Sequence, residues 1–202
     1  MQLRSIAKWT AFLLKLLNEY DPLKTVLAVR DDFLGVYQYD IPRIRDEDAV
    51  NRATIYIYWG VIGLVAEWMG CKVEDLAIVT LTHELAHAYT QLGADIDGRR
   101  WPASTFTKAN PFLKEGLAQY YTDRVLHRLE RKYGGALKAY EAMLSRQPEA
   151  YQTHELWVHD FSPEAVRRAM LEVRRWREGE LTDFNRRLVE AQKDLYPKGR
   201  TA

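Results

Sequence analysis

The sequence predicts an α+β domain in which a small β-sheet precedes a mainly helical remainder. Between residues 25 and 59, three short runs are rich in β-branched and aromatic residues, which favour strands. From about residue 61 onward, apolar residues recur at helical spacing instead. We therefore expect a small mixed or antiparallel sheet, followed by two central helices and a helical C-terminal lobe.

Length and composition indicate a single domain over residues 1–202. A chain of 202 residues with 47% hydrophobic content can bury one substantial core. Within it we expect an N-terminal helix and sheet over 1–72, the two central helices over 73–133 and the C-terminal lobe over 134–202. The formal net charge of +1 argues against a nucleic-acid partner. Oligomeric state cannot be read from this composition.

The lone cysteine and the hydropathy pattern bear on location. One cysteine, Cys71, excludes an internal disulfide and fits a reducing compartment such as the cytoplasm. No stretch approaches the roughly 20 apolar residues of a transmembrane helix. The first 20 residues hint at a signal peptide, but Lys15 interrupts the apolar run and no cleavage site follows.

An amphipathic helix docked on the domain fits the N-terminus better, with attachment to a membrane surface as the alternative. Its apolar face would consist of Ile6, Trp9, Leu13, Leu16, Leu17 and Tyr20.

The predicted strands come next along the chain. Thr25–Arg30 and Phe33–Asp40 are separated by two aspartates and are typical of a hairpin. Ala53–Trp59 is a third predicted strand. Val61–Met69 is predicted to be a short helix that ends at Gly70.

His83-Glu84-Leu85-Ala86-His87 is the most informative motif of the chain. A helix turns once in about 3.6 residues, so His83 and His87 lie on the same face and can reach one metal ion. Glu84 projects about 100° to the side, where it could polarise a metal-bound water. The helix is expected to begin near Val73 and to stop at Gly93.

A second helix is predicted to begin at Asn110, a good N-cap, followed by Pro111 at the first helical position. Glu115 falls within its first two turns. Gly116 and Ala118 carry little side-chain bulk, as close packing against the histidine helix would require. A catalytic zinc site needs three protein ligands and an open position for water, so Glu115 becomes a candidate third ligand.

Together the two helices resemble the gluzincin metallopeptidases, including small minigluzincin-like members. The resemblance covers roughly residues 76–122 and consists of the HExxH helix followed by a helix with Glu-Gly-x-Ala. It implies a zinc ion held by His83, His87 and Glu115, with Glu84 as general base in peptide-bond hydrolysis. It also implies that Gln119, four positions after Glu115, hydrogen-bonds a histidine ligand, where relatives commonly carry an acidic residue.

The same resemblance implies a Tyr or His that stabilises the oxyanion, and a sheet edge that pairs with the peptide substrate. Which strand forms that edge stays open. The candidate electrophiles are Tyr151, His154 and His159, with Tyr120 and Tyr121 on the glutamate helix. His154 and His159 are five residues apart and therefore about 140° apart on a helix, so they are poor joint metal ligands. His127 lies too far along the glutamate helix to join the zinc.

Several further expectations concern packing. Apolar residues on the histidine helix recur opposite the histidines and are predicted to face the core; they are Ile78, Leu81, Leu85, Ala88 and Leu92. Residues 98–109 are predicted to be a loop, with Asp95, Asp97 and Trp101 bordering the cleft.

The C-terminal lobe should contain helices over Ala136–Arg146, Pro163–Arg177 and Leu181–Leu195, the second capped by Ser162. This lobe could either complete the active site or restrain access to it, as in latent relatives, and completion is favoured.

The expected function is zinc-dependent hydrolysis of peptide or protein substrates. A regulatory protease that cleaves one cellular protein is an alternative of the same chemistry. A non-catalytic zinc-containing module that binds proteins is the alternative from a different class. Glu84 discriminates between them, because a purely structural zinc site prefers four protein ligands and has no use for a general base.

Overall fold

The computed structural model describes residues 33–40, 50, 52–93 and 98–196, and it has the predicted α+β, mainly helical architecture. A two-stranded antiparallel sheet is followed by nine helices within these ranges. In chain order the elements are β1 (Gly35–Asp40), β2 (Arg52–Ile57), α1 (Trp59–Met69), α2 (Val73–Leu92), α3 (Ala103–Lys108), α4 (Pro111–Arg128), α5 (Glu130–Leu144), α6 (Glu149–Gln152), α7 (His154–Asp160), α8 (Pro163–Trp176) and α9 (Leu181–Leu195).

The sheet pairs the second and third of the predicted strands. β1 runs antiparallel to β2, with Gly35 opposite Ile57 and Tyr37 opposite Ile55. The predicted strand Thr25–Arg30, the hairpin that would join it to β1, and the N-terminal amphipathic helix all lie outside the described residues. Trp59, predicted as the end of the third strand, instead begins α1.

Helices α2 and α4 pack against each other at the centre of the molecule, with a hydrophobic cluster on either side. One cluster joins β1 and α3 to α4, α8 and α9, and includes Trp101, Leu113 and Phe184. The other joins α1 and α5 to α2, and includes Ile62 and Leu76. The two helices of the predicted metal site are therefore held from both sides by packed side chains.

Local sequence signals set most helix ends as expected. The Asn110 side chain accepts a hydrogen bond from the Phe112 backbone N–H, and Ser162 caps α8 in the same way. α1 ends at Gly70, which has the left-handed φ of 67° that a glycine adopts without strain. α2 spans Val73 to Leu92 and ends before Gly93, as predicted.

One packing expectation held only in part, and another was wrong. Of the apolar stripe predicted on α2, Ile78, Ala88 and Leu92 pack against the two hydrophobic clusters, whereas Leu81 and Leu85 are 43% and 51% exposed. The face that carries the two histidines is buried, because it packs against α4. Residues 98–109 were expected to form a loop, yet they contain helix α3, and Trp101 is buried in the core instead of bordering the cleft. Asp95 and Asp97 lie outside the described residues.

A helix that crosses a bilayer needs about 20 mostly apolar residues. Within the described ranges, no helix combines the length and the apolarity that such a span requires.

Candidate metal centre and active site

Helices α2 and α4 bring the side chains of His83, His87 and Glu115 together. The two imidazole Nε2 atoms are 3.1 Å apart. One carboxylate oxygen of Glu115 (Oε2) lies 3.3 Å from Nε2 of His83 and 3.2 Å from Nε2 of His87. All three side chains are buried. The helical spacing thus places both histidines on one face, and the neighbouring helix supplies the carboxylate that faces them.

The shape of this triangle fits a tetrahedral metal ion. An ion about 2.0–2.1 Å from each ligand atom would separate those atoms by about 3.3–3.4 Å, close to the three distances observed. The Glu115 oxygen that faces the histidines is buried and has no hydrogen-bond donor among the described residues. A cation bonded to all three atoms would satisfy that oxygen and explain why two imidazoles approach so closely. These residues could therefore hold a metal ion.

The electrostatics of the cluster favour an ionised Glu115. Burial by itself raises the pKa of this carboxyl group. The adjacent imidazoles of His87 and His83 act in the opposite direction and outweigh burial, so that the pKa lies well below its usual range. The carboxylate is thus available as an anionic ligand at neutral pH.

Glu84 lies between two cavities that flank the cluster. One, of about 150 Å³, is also lined by Tyr37, His87 and Glu115. The other, of about 40 Å³, is also lined by His83 and Tyr151. The Glu84 side chain is only 4% exposed. The Glu84 side chain therefore borders space on either side of the candidate metal ligands while it is largely shielded from bulk water.

Strand β1 borders both cavities, and Gly35 allows it to approach α2 closely. A Cβ atom added at Gly35 would lie 2.8 Å from Cγ2 of Thr80, 2.9 Å from the carbonyl oxygen of Tyr56 and 3.3 Å from Cγ of Glu84. Any larger residue would push the strand away from the helix. Gly35 gave no signal in the sequence, because the residues that it contacts are distant in the chain.

Tyr151 stands beside the metal ligands, whereas His154 lies behind it. The Tyr151 ring stacks on the His83 ring, with centroids 5.7 Å apart and planes tilted by 19°. His154 is buried, and its Nδ1 lies 2.9 Å from the Tyr151 carbonyl oxygen. Because a carbonyl only accepts, Nδ1 carries the hydrogen, and Nε2 accepts from the Tyr140 hydroxyl at 3.0 Å. His154 therefore holds the Tyr151 backbone, and burial lowers its pKa, which favours the neutral ring.

The other candidate electrophiles line neither cavity. His159 is exposed at the end of α7. The hydroxyl group of Tyr121 donates to the sulfur of Met170 at 3.4 Å, and that of Tyr120 is buried without a hydrogen-bond partner in the part of the chain described. His127 pairs with Asp123 at the far end of α4. Of the candidates, Tyr151 is the one whose ring stacks on His83, a candidate metal ligand.

Gln119 is buried on α4, four residues after Glu115. Its amide N–H donates to Oε1 of Gln147 at 3.1 Å. Its carbonyl oxygen and Nδ1 of His83 are both buried, and neither has a hydrogen-bond partner within the described ranges. The hydrogen bond from Gln119 to a histidine ligand is thus not formed here, and it stays a prediction for the metal-bound protein.

Gly116 serves a different contact from the one predicted. A Cβ atom there would lie 2.7 Å from Cη2 of Trp157 and 3.3 Å from Cβ of Thr153. The space that this glycine leaves open is filled by the Trp157 ring of α7, not by α2. The small residue after Glu115 consequently lets the C-terminal lobe pack on the glutamate helix.

Arg174 of α8 clamps the end of the metal helix, a contact that sequence reasoning missed. Its guanidinium group donates to the carbonyl oxygens of Tyr89, Thr90 and Gly93, the last two at 2.8 and 3.0 Å. These carbonyls point out of the last turn of α2, where a cation is favourable. The Thr90 hydroxyl in turn donates to the carbonyl oxygen of His87 at 2.9 Å. The C-terminal lobe is thereby connected through Thr90 to the backbone of His87, a candidate metal ligand.

No family model, no curated protein and no solved structure matches the chain.

Proposed function

We propose that the protein is a zinc-dependent peptidase of the gluzincin type. The observation that carries the proposal is the buried triangle of His83, His87 and Glu115, with a fourth residue, Glu84, buried beside it between two cavities. Among the described residues this group offers three ligands. That number is typical of a catalytic zinc site, whereas a structural site usually has four.

The ligands His83, His87 and Glu115 would hold the ion. When bound, zinc would act as a Lewis acid that polarises the substrate carbonyl and acidifies water. Glu84 would accept the proton of the attacking water and return it to the leaving amine. Its position supports this role, because the Glu84 side chain is buried and lines both cavities next to His83, His87 and Glu115.

Tyr151 is the residue that we propose to stabilise the oxyanion. Its contact with His83 and its place in the cavity wall beside Glu84 support this role. His154 would act on Tyr151 as a positioning residue, since both of its ring nitrogens are engaged by Tyr151 and Tyr140. His159 has no part in this proposal.

The substrate would be a peptide or protein segment bound along β1. This strand borders both cavities, with Gly35 in one wall and Tyr37 and Tyr39 in the other. An extended peptide could therefore run beside the strand and cross the metal ligands, as in recognition by strand addition. We keep the cytoplasm as the proposed compartment, on the basis of the single cysteine, Cys71.

The contacts of the C-terminal lobe favour a lobe that completes the active site and not a lobe that blocks access to it. Tyr151 reaches the cluster from this lobe, and Arg174 holds the end of the metal helix. Removal of the lobe would remove both contacts. We therefore propose that the lobe is part of the catalytic unit and not a detachable inhibitor.

The test is Glu84→Gln in the full chain, with cleavage of a peptide mixture and bound zinc measured together. The substitution keeps the shape of the side chain and removes the proton acceptor, so cleavage should fall by about 10²–10⁴-fold with zinc content unchanged. Glu74→Gln, at the exposed start of the same helix, is the matched control and should cleave as the wild type does. Cleavage by Glu84→Gln at the wild-type rate would refute the mechanism. A wild type that binds zinc but cleaves none of the peptides would fit the binding module and the single-substrate regulatory protease equally well.

A further inference from the structure

The larger of the two cavities beside the candidate metal ligands has an aromatic wall. Its volume is about 150 Å³, and His87 and Glu115 line it together with residues of β1 and α3. In the aromatic wall, the ring centroids of Tyr37 and Tyr39 are 5.5 Å apart, and Phe106 meets both rings edge-on. Pockets that hold a drug-sized molecule measure about 300–1,000 Å³. This cavity therefore has room for a single side chain.

The hydroxyl hydrogens in this wall are all engaged within the protein. Tyr37 donates to Oε1 of Gln91 at 2.7 Å. Thr107 donates to the carbonyl oxygen of Ala103, also at 2.7 Å. The 2.7 Å contact between the hydroxyl groups of Tyr39 and Thr107 therefore has Tyr39 as its donor. These three hydroxyl groups can accept hydrogen bonds from a bound molecule but have none left to donate.

Lys114 supplies the donors that the hydroxyl groups lack. It lies directly before Glu115 on α4, lines the cavity and is half-buried. Within the described ranges its ammonium group has neither an ion-pair nor a hydrogen-bond partner. An ammonium group has three N–H donors and no acceptor, so its natural partner is an anionic group.

The charges around the cavity also favour one anion. Apart from Lys114, a histidine ligand and two tyrosines whose pKa is raised by burial, the ionisable groups in the wall are Glu84 and Glu115. A divalent ion on the candidate ligands would carry two positive charges, which these two carboxylates balance. The positive charge of Lys114 is then left uncompensated beside the metal centre.

We propose that this cavity is the subsite for a carboxylate group of the substrate and that Lys114 binds that carboxylate. The inference rests on the proposed peptidase function and names its substrate class. Because the cavity shares Glu84, His87 and Glu115 with the metal centre, the group that fills it belongs to a residue next to the scissile bond. The carboxylate is either the side chain of an aspartate or glutamate or the C-terminal carboxylate of the peptide. The aromatic rings would pack against the apolar atoms that carry it.

The experiment measures peptide binding to the full chain loaded with zinc. It uses the Glu84→Gln protein, so that peptides bind without being cleaved. The probes are three dansyl-labelled peptides: Gly-Gly-Gln-amide, which is neutral, Gly-Gly-Glu-amide, with a side-chain carboxylate, and Gly-Gly-Gln with a free C-terminal carboxylate. Fluorescence anisotropy should show that at least one of the two carboxylate peptides binds about 10-fold or more tightly than the neutral one. The peptide that binds tightly identifies the source of the carboxylate.

A second substitution assigns the preference to Lys114. Lys114→Met, which keeps the apolar stem and removes the charge, should abolish the difference between the peptides, whereas Lys114→Arg should retain it. Lys138→Met, which removes an exposed lysine of α5, is the matched control and should also retain it. Bound zinc is measured in every variant and should be unchanged, since Lys114 is not a ligand.

The possible outcomes separate this inference from the proposed function. Equal affinity for the three peptides, including no measurable binding of any, would overturn the inference. A carboxylate preference that Lys114→Met leaves intact would also overturn it, because the carboxylate would then bind the zinc ion itself. A preference that depends on Lys114 in a protein whose wild type cleaves no peptide would support the subsite and count against hydrolysis.

Discussion

Replacement of Arg174 by Met should destabilise the protein and weaken its metal site. Arg174 is 2% exposed and donates three hydrogen bonds to carbonyl oxygens at the end of α2. A hydrogen bond with a charged partner contributes about 1.5–3 kcal/mol, but neighbouring bonds are not additive. Tyr89 keeps its bond from the Gly93 N–H, whereas the carbonyls of Thr90 and Gly93 have no second donor among the described residues. We expect a loss of about 3–5 kcal/mol in the free energy of unfolding.

Urea unfolding followed by circular dichroism measures this loss, and a zinc titration measures its effect on the site. Thr90 connects the clamp to the His87 backbone, so Arg174→Met should also lower zinc affinity. Arg168→Met on the same helix removes a half-exposed arginine that lies 3.7 Å from Asp194, and it should cost less than about 1 kcal/mol. If the two variants unfold within about 1 kcal/mol of each other, the reasoning about the clamp is refuted.

Two further predictions concern packing and catalysis. Gly116→Ala should cost about 1–3 kcal/mol in urea unfolding, because its methyl group would overlap the Trp157 ring, whereas Gly63→Ala, with open space around it, should stabilise α1 by about 0.5–1 kcal/mol. Similar effects of the two substitutions would contradict the packing described for α4 and α7. Tyr151→Phe should lower kcat by about 10²–10³-fold with bound zinc unchanged, and a kcat equal to that of the wild type would remove its hydroxyl group from the mechanism.

The sequence was informative wherever the signal is local. The cap at Asn110, the left-handed end at Gly70 and the spacing of His83 and His87 each depend on a few neighbouring residues. The ligand geometry follows from the spacing of His83 and His87 on α2 and from the start of α4 at Asn110, provided that the two helices pack together. Glu115 could therefore be paired with the histidines from the sequence alone.

Sequence reasoning failed where polar residues are buried and apolar residues are exposed. Apolar periodicity predicted that Leu81 and Leu85 face the core, but the polar metal-site residues on the other face of α2 are the buried ones. Apolar periodicity in a single sequence cannot reveal which face of α2 is buried. The polar residues His83 and His87 face Glu115 of the neighbouring helix, and this contact buries them as deeply as leucines in a core. The contacts of Gly35 and Arg174 were missed for another reason, since most of their partners lie far away in the chain.

The measurement that tests the central claim most directly is a zinc titration of the wild type and of Glu115→Gln, in competition with a coloured chelator. One zinc ion per chain is expected for the wild type, and an affinity at least about 100-fold weaker for the variant, because a neutral amide replaces the anionic ligand that faces both histidines. Glu130→Gln, at the exposed start of α5, should bind as the wild type does. Wild-type affinity and stoichiometry in Glu115→Gln would contradict the proposed metal site.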